Sequence, residues 1–107
     1  MEIIFGRENA EELRKKYTVL DLEELTLEDG RQLEVFCLIP LEKLKLEDIP
    51  KLPEWTKLHD DMLTGYKKGE YEYVEQCIEH LTGLFGGEVD SFYEELLRRI
   101  EENRIVE

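Results

Sequence analysis

The sequence predicts an α+β domain, with a small N-terminal antiparallel sheet and one short helix packed on a three-helix C-terminal unit. Three observations predict it. Apolar and polar residues alternate between Tyr17 and Leu27, and a second apolar run, Leu33 to Ile39, follows Asp29-Gly30, the arrangement of a β-hairpin. From Trp55 onward, apolar residues recur at three- and four-residue steps, the spacing of a buried helical stripe. Between these regions, residues 41–54 carry Pro50 and Pro53, which disfavour regular helix. The chain of 107 residues is long enough for one core, so it reads as a single domain. Residues 1–40 are its β-rich half, 41–54 a proline-containing connector and 55–107 its helical half.

Taken in order, Glu2-Ile3-Ile4-Phe5 predicts a short strand stopped by Gly6. Asn9 is a helix cap by its chemistry, with a helix from Ala10 to about Lys16 that buries a narrow stripe of Ala10 and Leu13. The next strand runs from Tyr17 to Leu27. Asp29-Gly30 suits a tight turn in which both residues take positive φ. Leu33 to Ile39 returns as a strand apolar enough to be central, and the N-terminal strand can pair with it as a third. In the connector, Leu44-Lys45-Leu46 could form a brief edge strand, and the remainder lays its leucines on the core.

The helical half opens with a hairpin. Trp55, Leu58, Met62 and Tyr66 share one face of a first helix, and Gly69 follows Lys67 and Lys68 as a left-handed cap. Tyr71, Val74, Ile78, Leu81 and Phe85 form a stripe on a second, and Tyr73, Cys77, His80 and Leu84 form another beside it. Two stripes imply neighbours on two sides, so residues 71–85 are expected to be the central helix. Gly86-Gly87 reads as a permissive break. A last helix starts at Asp90 or Ser91, with Ser91 and Glu94 as a capping box and Phe92, Leu96 and Ile100 buried.

The turn Gly65-Tyr66-Lys67-Lys68-Gly69-Glu70-Tyr71 resembles the turn between the two helices of a tetratricopeptide repeat. Such arrays stack about three units or more, and a second copy is not visible here, so the resemblance implies a helical hairpin. The run Gly86-Gly87-Glu88-Val89-Asp90-Ser91-Phe92-Tyr93 resembles small uncharacterised tailed-phage proteins, a likeness that implies no activity.

Charge narrows the functions. With 27 acidic and 14 basic residues the net charge is −13, which disfavours direct contact with nucleic acid or an anionic membrane. It permits a basic protein partner, or serves solubility. The start of the chain has no signal-peptide pattern and no run approaches the ~20 apolar residues that span a bilayer. Two cysteines forty residues apart suggest free thiols in a reducing cytoplasm.

Several residues could carry chemistry. His59, Cys77 and His80 would converge if residue 59 lies opposite residue 77 in the hairpin, and zinc accepts such donors. A packed Cys77 and two partly exposed histidines are the expectation, because a fourth donor is limited to Cys37 or a nearby Asp. His59-Asp60-Asp61 resembles part of the His-Asp signature of metal-dependent phosphohydrolases but lacks its further ligands. A Cys–His nucleophile pair lacks a recognisable orienting residue. The reading is therefore a non-catalytic protein-interaction or assembly domain, not an enzyme, with no cofactor. Trp55, Tyr66 and Tyr73 are its contact candidates, and its partner is a basic protein or a second copy. The alternatives are an acidic decoy for a basic nucleic-acid-binding protein, and a metal protein using His59, Cys77 and His80.

Overall fold

The computed structural model describes residues 1–106; Glu107, the last residue of the expected domain, lies outside the described residues. The chain forms an α+β fold with a three-stranded antiparallel sheet whose β2 and β3 strands are covered on both faces. Strands β1 (Glu2–Phe5), β2 (Thr18–Thr26) and β3 (Gln32–Ile39) lie in the order β1-β3-β2, so the most apolar strand is central, as its composition predicts. Alternation on β3 divides the two cores. Val35, Cys37 and Ile39 face the helical half, whereas Phe36 packs with Ala10 and Val19 under α1 (Arg7–Arg14).

The helical layer comprises α2 (Leu52–Lys68), α3 (Tyr71–Leu81) and α4 (Asp90–Val106). α2 and α3 form the expected hairpin, with Gly69 at φ 77° as the left-handed cap. Val74, Ile78 and Leu81 are buried in the core cluster that the helices share with the sheet, and full burial of each such side chain contributes roughly 1.5–3 kcal/mol. The two helices approach closely at Gly65, where a β-carbon would meet the Tyr73 ring at 2.9 Å.

Several expectations are corrected. α1 begins at Arg7, not Ala10, and Asn9 donates its side-chain amide to the Phe5 carbonyl (3.0 Å) instead of capping the helix. In the hairpin loop only Gly30 has positive φ (88°), while the Asp29 carboxylate accepts from the Arg31 N–H (3.0 Å). The loop spans five residues, closed by Leu27 N–H donating to the Arg31 carbonyl, so a side-chain turn at Asp29 replaces a two-residue turn. Residues 44–46 form no strand; the connector winds into 3₁₀ turns at Leu41–Lys43 and Leu46–Lys51. α2 starts at Leu52, three residues before Trp55, because Pro53 falls in the first turn, where its missing N–H costs nothing.

The largest correction concerns residues 82–87. α3 ends at Leu81, not Phe85, with the Thr82 hydroxyl bonding back to the Ile78 carbonyl and Gly83 at φ 88°. Of the second stripe only Cys77 is fully buried; Tyr73 and His80 are exposed. Phe85 (φ 54°), Gly86 (φ 65°) and Gly87 (φ 75°) then make three successive left-handed residues, a turn that drives the Phe85 ring into the core. Gly86 is no permissive break, because a β-carbon there would overlap the Lys43 backbone carbonyl. α4 opens at Asp90, which puts Ser91 inside the first turn and not at its cap.

Candidate functional site

The most elaborate polar arrangement sits between the sheet and the helices, at a β-bulge. The β2–β3 register shifts between Asp21 and Glu23, so Leu22 is an extra residue on β2. The Asp21 carbonyl at this bulge receives a hydrogen bond from His59 of α2, with Nε2 2.6 Å from the oxygen. A carbonyl only accepts, so Nε2 carries the proton and Nδ1 presents a lone pair. The Tyr93 hydroxyl of α4 lies 2.8 Å from Nδ1 and donates to it. One imidazole thus ties β2, α2 and α4 together.

His59 is wholly buried, and its ring contacts Phe85, Phe92 and Tyr93 at centroid distances of 6.4, 6.4 and 5.7 Å. Burial pushes its pKa below the ordinary 6.5, partly offset by the bond to the Asp21 carbonyl, and holds the ring neutral at physiological pH. Burial likewise raises the Tyr93 hydroxyl well above the usual phenol range. With both nitrogens engaged, His59 has no free lone pair for a metal or substrate.

The other metal candidates stand apart in character. Cys77 is buried and His80 exposed, and among the described residues no group of three or more His, Cys, Asp or Glu is arranged to hold a metal ion. Cys37 is buried under the sheet, where desolvation pushes its thiol up to about 12, away from thiolate chemistry at neutral pH. The contact candidates also differ from one another. Trp55 is half-buried and stacks edge-on against Phe85 (5.7 Å), and Tyr66 is half-buried beside Tyr71 (6.0 Å). Tyr73 is the exposed one of the three.

Beside the bulge, Asp21, Glu23, Glu24, Glu34 and Asp60 line a groove of about 190 Å³. Arginines lace its walls. Arg7 pairs with Glu34 (2.6 Å), Arg14 with Asp21 (3.0 Å), and Arg99 of α4 with Glu23 (3.2 Å). These ties fix the bulge and hold much of the carboxylate charge within the fold.

Exposed apolar side chains gather elsewhere, at β1. Ile3 and Phe5 are 41 % and 51 % exposed, and Leu41 of the connector, 59 % exposed, joins Ile3 along one groove. Sequence reasoning identified β1 but not that the helical layer stops short of it. No family model, curated protein or solved structure matches the chain.

Proposed function

We propose that this chain is a non-catalytic protein-interaction or assembly domain. The observation that carries the reading is the apolar strip of Ile3, Phe5 and Leu41, left open beside a well-packed core. The wholly buried imidazole of His59 is spent on joining elements, which supports a scaffold over a reaction centre. The contact surface favoured here is the β1 side, with Tyr73 as the exposed member of the hairpin candidates. A reducing, cytoplasmic setting suits the buried free thiols of Cys37 and Cys77. Among the described residues no helix is long and apolar enough to cross a membrane, and a protein partner fits the charge of −13 better than nucleic acid.

The test is affinity capture from the native source with the wild-type chain, with Phe5→Lys and with Leu41→Lys, identified by mass spectrometry. A species held by the wild type and released by both variants supports the reading. Capture that neither variant alters, by a chain that also stays monomeric, removes it. The acidic-decoy alternative rests on the carboxylate-lined groove and predicts capture of a nucleic-acid-binding protein that is lost steeply as salt rises.

A further inference from the structure

We infer that the free edge of β1 is a docking strand for a second copy of this chain, joining two sheets into one of six strands; this rests on the interaction reading above.

The argument starts from the phase of the ladder. In an antiparallel pair, alternate residues direct their N–H and C=O groups toward the partner strand. The β1–β3 register runs from Glu2↔Leu38 to Phe5↔Val35, and the Gly6 N–H donates to the Glu34 carbonyl at 2.9 Å. Residues 2, 4 and 6 therefore bond inward to β3, and Ile3 and Phe5 present their backbone groups outward. The Phe5 carbonyl accepting from the Asn9 side chain agrees with that phase. By the same phase the Ile3 and Phe5 N–H groups point away from β3.

This edge is self-complementary. A two-fold axis through Ile4 sets Ile3 opposite Phe5 of the second copy and Phe5 opposite its Ile3. Both are outward-facing residues, so each pair can exchange hydrogen bonds. The same register stacks the exposed Ile3 and Phe5 side chains on one face, the face that Val35 and Cys37 share with the helical core. It also brings Glu2 opposite Gly6 and next to Arg7 of the second copy, a guanidinium already paired with Glu34 of its own chain.

Natural edges are guarded by shortness, Lys, Pro, bulges or cover, and of these β1 has only its shortness, four residues. β1 reads Glu-Ile-Ile-Phe, without lysine, proline or bulge, and Glu2 is its one charge. Such a short strand pair sits at the small end of specific interfaces, so association is expected in the micromolar range or weaker. Two chains of charge −13 repel at long range, so added salt should strengthen the dimer. A basic partner protein on the same edge would show the opposite salt dependence.

Sedimentation equilibrium of the full chain at about 50 and about 500 mM sodium chloride tests the inference. The expected result is a monomer–dimer equilibrium that shifts toward dimer at high salt. Phe5→Lys and Ile3→Lys should each weaken it about tenfold or more while leaving the circular dichroism melt in place. Ile4→Cys should cross-link to its counterpart under mild oxidation, because the axis sets the two Ile4 positions face to face, whereas Leu25→Cys on β2 should not. A monomer at every salt and concentration, or a dimer indifferent to both lysine variants, overturns the inference. If the chain stays monomeric but captures another protein through Phe5 and Leu41, self-pairing fails and the interaction reading stands.

Discussion

Along β2 the outer edge of the sheet is occupied, and along β1 it is open. At β2, the Val19 carbonyl accepts from Arg14 (3.2 Å), the Asp21 carbonyl from His59, and a bulge breaks the ladder between them and Glu23. Arg99 reaches in from α4 to Glu23. At β1 the comparable tie among the described residues is Asn9 to the Phe5 carbonyl, and Ile3 and Phe5 remain exposed. The same short sheet thus closes one side with side-chain bonds and leaves the other available to a strand.

The contrast can be broken or sharpened by substitution. The largest effect is expected beside the open edge, at the seam between connector and turn. Gly86→Ala places a β-carbon on the Lys43 carbonyl at a positive φ, and should cost about 3–5 kcal/mol in urea unfolding or prevent folding. Gly30→Ala, with positive φ but open space, should lose only about 1–2 kcal/mol. A mild Gly86→Ala phenotype would mean that this side is loosely built throughout, and the open edge merely part of that looseness.

Next is the closed edge itself. His59→Phe leaves the Asp21 carbonyl and the Tyr93 hydroxyl buried without partners and should cost about 2–4 kcal/mol. The acid response follows from the same residue. Its folded pKa lies below 6.5, so below that pH the unfolded chain takes a proton that the folded chain refuses. Stability is then complete above about pH 6.5 and falls as pH drops toward the folded pKa, and His59→Phe should flatten that segment of the urea-midpoint profile. The smallest effect is expected at β1. Phe5→Lys should change monomer stability by no more than about 0.5 kcal/mol, because the side chain is half in water already.

The sheet, its strand order and the three C-terminal helices were legible because each rests on local periodicity or on one apolar strand that needs covering twice. The bulge was half legible. Apolar positions pass from even numbers (Leu20, Leu22) to odd ones (Leu25, Leu27), and a change of phase within a strand marks an inserted residue. Phe85 misled for the opposite reason, since it continues the helical stripe in sequence while its backbone has already turned left-handed. Gly83 was the signal that the helix had ended. The role of His59 was not legible, because its partners lie 38 and 34 residues away and an imidazole among apolar residues looks the same as a ligand or as a packed ring. The exposure of β1 depends on how far the helices reach, a property of the assembled layer and of no single segment.

The imidazole of His59 also bears on how the molecule comes apart. If α4 lifts away alone, Nδ1 loses its donor inside a dry core; if β2 peels off alone, the proton on Nε2 loses its acceptor. Neither event is cheap without the other, so strand, hairpin and final helix should breathe as one unit, with amides in all three exchanging at a common rate, while β1 opens by itself.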